Sequence, residues 1–273
     1  MGFIYKKDYT YDRLLEYGGG MGVQDSKKQK RKKKAWILFV ASLVSLLLLC
    51  VVLWYQGILM PNSSTAKQYS VKGIDVSAYQ GEINWKTLAK QPIEFAFIKA
   101  TEGSTYKDKY FTKNWEGAKD TNLRIGTYHF FSFDSKGETQ AQNYIQTVPR
   151  DKNALPPVID IEFYGDKEKN PPAPKQVEKE LTAMIKILED HYDKRIIIYT
   201  TPKAYKLYIQ NKFKESDIWI RSVLSKPSLE DQRSWTFWQY SDRGRMEGYQ
   251  GKEKFIDLNV FRGTKQAFDN YGY

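Results

Sequence analysis

The chain of 273 residues carries 43 Lys and Arg against 32 Asp and Glu, a formal net charge of +11, and one cysteine. A single cysteine excludes a disulfide-stapled fold and a cysteine-rich metal site, and 41% hydrophobic with 27% charged residues is the composition of a globular chain. The charge points to nucleic acid only if it lies on a folded surface, yet residues 1–34 hold ten Lys and Arg against four acids, a net +6, leaving +5 for the rest.

In chain order, residues 1–34 read as a cytoplasmic basic tail, disordered and membrane-associated, because Gly18–Gly22 and the Lys/Gln/Ser mixture after it show neither helical nor strand period. Its Tyr5, Tyr9, Tyr11 and Tyr17 identify no partner for the tail. Ala35–Leu53 is uncharged, with only Ser42 and Ser45 polar. As a helix it spans roughly 28 Å at ~1.5 Å per residue, the thickness of a bilayer core. Trp36 and Trp54–Tyr55 stand where interfacial aromatics belong, so residues 35–55 read as one transmembrane helix. The basic block places the N-terminus in the cytoplasm and the rest of the chain outside. A cleaved signal fits less well, because a long charged region precedes the apolar run. A lipobox at Leu47-Leu48-Leu49-Cys50 has a bulky Leu where a small residue belongs. Residues 56–70 read as a linker, polar over Pro61–Gln68, with a formal glycosylation sequon at Asn62.

From Val71 to Tyr273 short apolar runs alternate with amphipathic stretches. The runs predict strands at Gly73–Ser77, Phe95–Thr101, Arg124–Phe131, Val158–Glu162, Arg195–Thr200, Ile218–Ser222, Thr236–Ser241 and Phe255–Val260. The 3.6-residue period predicts a helix over Lys175–Tyr192, with others at Tyr110–Asp120, Glu138–Gln146 and Lys203–Asn211. Near-continuous apolar strands alternating with helices predict a parallel sheet covered by helices, closed into an α/β-barrel. In such a barrel the active site lies at the C-terminal strand ends. Asp75 with Ser77, Asp160 with Glu162, and Asp257 with Asn259 are spaced i, i+2 in three of the runs, which puts each pair on one face. Carboxylates inside apolar strands are costly unless paired or used.

These segments resemble the glycoside hydrolase family 25 lysozymes. The resemblance rests on Gly73-Ile74-Asp75-Val76-Ser77-x-Tyr79-Gln80-Gly81 with Trp85, Ile98-Lys99-Ala100-Thr101-Glu102-Gly103, Gly126-Thr127-Tyr128-His129-Phe130, Pro157-Val158-Ile159-Asp160-Ile161-Glu162, Phe237-Trp238-Gln239-Tyr240-Ser241 and Asp257-Leu258-Asn259, in family order. It implies an irregular TIM-like barrel of about eight strands with fewer helices over 71–273; the tail, the transmembrane helix and the linker before it fall outside the resemblance. It implies cleavage of peptidoglycan glycan strands after N-acetylmuramic acid, with Glu162 as general acid. Asp160 is then either a covalent nucleophile or the group that orients the substrate's own acetamido group. Of the two, its place on the face of Glu162 favours substrate assistance with retention. Asp75 and Asp257 would hold substrate or tune the pair, and Tyr79, Tyr128, Tyr199, Trp238 and Gln239 would contact sugar. His129 reads as structural; no metal, cofactor or nucleic acid is expected. The competing readings are a non-catalytic wall-binding module and a chitinase-like hydrolase.

Overall fold

The computed structural model describes residues 19–273, with side chains from Ser26 onward; Tyr5, Tyr9, Tyr11 and Tyr17 of the expected tail lie outside the described residues. The chain divides into two compact units, the second running from Met60 to Tyr273. In the first, helix α1 spans Gly19–Tyr55, so it starts well before the expected Ala35 and takes in the basic block, which corrects the expected disorder of the tail from Gly19 onward. Lys, Arg and Gln are good helix formers, and a helix nucleated in the apolar run extends through them at little cost. Trp36, Leu38 and Leu47 on α1 are exposed, and Ser26–Tyr55 is long and apolar enough to cross a membrane. Cys50 is exposed on the same helix.

The second unit contains β1 (Lys72–Val76), β2 (Phe95–Glu102), β3 (Tyr106–Lys107), β4 (Arg124–Phe130), β5 (Val158–Ile161), β6 (Ile197–Thr200), β7 (Asp217–Arg221), β8 (Phe237–Gly244) and β9 (Ile256–Phe261). All but the two-residue β3 close into an eight-stranded barrel, β9 pairing back onto β1 and β1 onto β2. Every expected strand is present. The expected parallel sheet is corrected at one strand, because β9 runs antiparallel to both β8 and β1. The segment between β8 and β9 contains no helix, and a parallel return needs a crossover that is usually helical.

The helices of this unit are α2 (Ser63–Ala66), α3 (Trp85–Leu88), α4 (Phe111–Lys119), α5 (Gly137–Thr147), α6 (Pro174–Tyr192), α7 (Pro202–Ala204) and α8 (Lys265–Asp269). Three of the four expected helices match α4, α5 and α6; the fourth is α7 followed by a π turn over Tyr205–Ile209. One turn of helix shows no period, which is why α2, α3 and α8 escape a sequence reading.

Side chains alternate strictly between two cores. Phe95, Phe97, Val158, Ile197, Tyr199, Trp219, Phe237 and Phe261 fill the barrel interior. Ile74, Ile98, Ile159, Ile198, Ile220, Trp238 and Val260 face outward to join Leu181, Met184 and Leu188 of α6 in the larger outer core. Phe97 stacks on Trp219 with ring centroids 4.6 Å apart. Gly73 and Gly126 make room for these rings: a Cβ at Gly73 would lie 2.4 Å from Phe95, and one at Gly126 2.5 Å from Phe97.

The expected linker is folded from Met60 onward. Ala66 is buried, and the Asn62 Nδ2 donates to the carbonyls of Ser222 at 2.9 Å and Tyr240 at 3.2 Å. Tyr69 packs edge-on against Trp235 and Trp238 at 5.4 and 6.3 Å. This segment covers the outward side of β8, where neither adjoining connection supplies a helix. The Asn62 sequon is therefore interior and its amide engaged. A domain that begins at Val71 should melt well below one that begins at Met60. In the longer form Asn62→Ala should cost about 1–3 kcal/mol in chemical denaturation, the range for a buried group left without its partner.

Candidate active site

The turn after β1 is built by a capping box in which the Ser77 hydroxyl accepts from the Tyr79 N–H and the Gln80 Oε1 accepts from the Ser77 N–H at 2.9 Å. The Ala78 N–H donates to Asp108 at 2.8 Å, and the Gln80 Nε2 donates to the Phe255 carbonyl at 3.2 Å. This locks the loop that carries Tyr79, which is 63% exposed, to the rim of a cleft of about 450 Å³. Asp75, Asp160, Glu162, Asp257, Tyr79, Tyr128, Tyr199 and Gln239 all line that cleft.

Asp75 is the hub of its floor. Its Oδ2 accepts from the Gln239 Nε2 at 2.9 Å and the Asn259 Nδ2 at 2.8 Å. The Gln239 Oε1 in turn accepts from the Tyr199 hydroxyl at 3.0 Å, and the Asn259 Oδ1 from the Trp219 Nε1 at 2.8 Å. Asp75 and Asp257 are cross-strand partners and hydrogen-bonded to one another. Burial, then the Asp75 charge, pushes Asp257 well above the usual carboxylate range. Burial also raises Asp75, but the amides of Asn259 and Gln239 oppose it. The shared proton therefore belongs on Asp257.

Asp160 points into the same space from β5, buried, with its Oδ1 lacking any hydrogen-bond partner. Burial, followed by the nearby Glu162 charge, raises it well above its ordinary value. Burial also raises Glu162, with Arg221 and Lys99 pulling it back down and Asp75 adding to the rise. Two carboxyls side by side, partly desolvated and partly compensated by cations, hold a proton more firmly than free carboxylates do.

Trp238 departs from its expected place. It is fully buried on the outer side of β8, its Nε1 donating to the Ser222 carbonyl at 2.9 Å and its ring packed against Trp235. The alternation that brings Gln239 inward turns its neighbour Trp238 away. His129 is fully buried and bonded at both ring nitrogens, to Thr101 at 2.7 Å and Gln140 at 3.0 Å. Burial lowers it to about 4, so it is neutral over most of the working pH range.

Sequence reasoning missed Lys99 and Arg221. Lys99 lies in the cleft wall, 2.8 Å from Glu102 and 4.8 Å above the Phe130 ring. Arg221 pairs with Asp242 at 2.7 Å. Each stands two residues after an interior aromatic, Phe97 and Trp219, so the rule that located the acids would have found both cations.

The sequence pattern described as Glycosyl hydrolases family 25 matches residues 74–249. The structure is similar to that of a family 25 glycosyl hydrolase from Bacillus anthracis, 60% identical, with a TM-score of 0.73 over 76% of this chain and 95% of that one. It is also similar to a bacterial lysozyme from Streptomyces coelicolor, 30% identical, with a TM-score of 0.66 over 74% and 97% of the two chains. Lysozyme M1 of Streptomyces globisporus is 32% identical over 210 residues, 71% of this chain and 68% of that one.

The raised Asp257 makes a stability prediction. A carboxyl that titrates above its unfolded value of ~3.9 contributes full stability below that pH and loses it as pH rises through the folded value. Asp257→Asn removes this loss and can still donate to Asp75. It should melt above the parent at about pH 7, with the gain shrinking toward pH 3–4. A melting temperature equal to or below the parent's at pH 7 would contradict the assignment.

Proposed function

This chain belongs to glycosyl hydrolase family 25, the lysozymes and muramidases that cleave peptidoglycan, and on that premise we propose that it hydrolyses the β-1,4 bond from N-acetylmuramic acid to N-acetylglucosamine with retention, through the substrate's own acetamido group. The observation that carries this reading is Asp160 Oδ1, a buried carboxyl oxygen without a hydrogen-bond partner, in the same cleft as Glu162, whose carboxyl burial raises.

In the first step Glu162 donates its proton to the glycosidic oxygen as the bond to the anomeric carbon breaks. The acetamido oxygen forms the new bond to that carbon, and Asp160 Oδ1 accepts the acetamide N–H as positive charge develops on nitrogen. In the second step Glu162, now a carboxylate, takes a proton from water as that water attacks the anomeric carbon and the ring reopens to the acetamide. Two inversions give net retention. Arg221 and Lys99 keep Glu162 from holding its proton so tightly that it fails as an acid.

Asp75 and Asp257 hold the floor beneath the reacting sugar, while Tyr79 at the rim and Tyr128 in the wall give it stacking and hydrogen-bonding surface. Gln239, engaged at both ends of its amide, orients Asp75 and Tyr199. The catalytic domain is taken as 60–273. The exposed apolar helix α1 supports a single-span anchor, with the basic N-terminus in the cytoplasm and the barrel outside, at the wall.

Glu162→Gln should lose ~10²–10⁴-fold in release of reducing ends from peptidoglycan while its circular dichroism is unchanged. More than about a tenth of parental activity would remove Glu162 from the acid role. Lys99→Met, which deletes a cation that lowers Glu162, should move the alkaline limb of the pH–activity profile upward; an unmoved limb would sink the electrostatic account. Mass spectrometry of the released muropeptides should show reducing-end N-acetylmuramic acid. The full chain should sediment with membranes and resist extraction at high salt.

A further inference from the structure

We propose that Asp108 is a positioning residue for substrate: it holds the turn after β1 so that the ring of Tyr79 stands as a sugar-stacking platform at the rim of the cleft. This rests on the peptidoglycan reading above.

Asp108 is buried, outside the steps assigned to the other carboxyls, and it meets backbone at both oxygens. Its Oδ1 accepts from the Tyr110 N–H at 2.9 Å, and its Oδ2 accepts from the Ala78 N–H, thirty residues back, at 2.8 Å. The first bond makes a local turn at the entry to α4, which Asp, Asn or Ser can each form. The second is long-range and selects the carboxylate. An amide in this position would turn its NH2 on one of the two N–H groups, and a hydroxyl has no second oxygen to reach with. Taking a carboxyl out of water is costly unless bonds of this kind offset the loss.

The turn that receives this bond is held from two sides, because β1 lies between β2 and β9. On the β9 side, the Glu253 N–H donates to the Tyr79 carbonyl at 3.1 Å and the Gln80 Nε2 donates to the Phe255 carbonyl at 3.2 Å. Gly251 closes against the same turn: a Cβ there would lie 2.1 Å from the Tyr79 carbonyl oxygen. On the β2 side, the chain leaves β3 directly into Asp108. The N–H of Tyr79 is taken by the Ser77 hydroxyl and its carbonyl by Glu253, while its ring is exposed and lines the cleft. A ring left in water on so constrained a backbone is presented for contact, and an aromatic face suits the apolar face of a sugar. Releasing the Asp108 side frees the turn, so that binding must then bear the entropy of ordering the ring.

The test is a double-mutant cycle on the full-length protein with Asp108→Asn and Tyr79→Ala, assayed on soluble glycan strands. Tyr79→Ala should raise KM about tenfold with kcat within twofold, the pattern of binding lost equally from ground and transition states. Asp108→Asn should raise KM about fivefold with the same split, and in the Tyr79→Ala background it should add less than twofold. A buried residue that served the fold alone would give losses that add, or a fall in kcat as active protein is lost. Either result would overturn the proposal, as would an Asp108→Asn enzyme that matches the parent. Asp108→Ser keeps the local turn but cannot reach Ala78; it should show the same non-additive rise in KM, and it carries the test where Asp108→Asn fails to fold. If the parent cleaves no glycan strand, the functional reading fails and takes the platform with it, whereas cleavage by the parent with additive losses removes the role of Asp108 alone.

Discussion

Asp75 and Asp257 face each other because β9 runs antiparallel between β8 and β1, and the active end of the barrel depends on that closure. Had β9 been parallel, the start of the strand, and Asp257 with it, would lie at the opposite end of the barrel. In the observed direction its first residues reach the end where the other strands finish. The closure then forces two carboxyls into hydrogen-bond contact and leaves Asn259 to donate to the same oxygen that Gln239 reaches from β8. One carboxylate thereby ties β1, β8 and β9 together, and through Tyr199 and Trp219 the tie extends to β6 and β7. The aromatic plug beneath excludes water, so these bonds form in surroundings of low dielectric, where they are strong and where an unpaired group is expensive.

The unpaired group is Asp160 Oδ1, placed where a cost is accepted. A buried carboxyl oxygen without a donor is destabilising, and the proposed role as acceptor for a substrate amide would offset that cost. Lys99 acts on it, and Lys99 and Arg221 both act on Glu162, without closing the cleft, since each cation is held by its own acidic partner, Glu102 and Asp242. The arrangement separates holding a proton from releasing it: burial raises the carboxyls, and the two cations limit the rise.

The segment from Met60 to Tyr69 serves packing and connection together. It fills a side of the barrel that no helix covers, and its Asn62 amide ties it to the loop that follows β7 and to β8 itself. The side chains that do this, Asn62, Ala66 and Tyr69, lie among Ser, Thr, Lys and Gln, a composition that belongs equally to a solvated linker. A segment that buries one small residue and half-buries one aromatic has too little apolar content to announce its burial.

Most of the architecture was legible in the sequence. Runs such as Val158–Ile161 are apolar at every position but the one that carries chemistry, and both faces of a barrel strand are buried, so strands and acids stood out together. Periodicity established that Asp160 shares a face with Glu162 and Asp257 with Asn259, and the charge count separated a basic N-terminal segment from a nearly balanced domain. Period two states which residues share a face. It is silent on which face is the interior, which is why Trp238 was expected beside the sugar and instead packs outside. It is equally silent on strand direction, which the connection decides, and on the fate of short polar segments. Those were settled only by the tertiary structure, because closing the barrel fixes inside and outside for every strand at once.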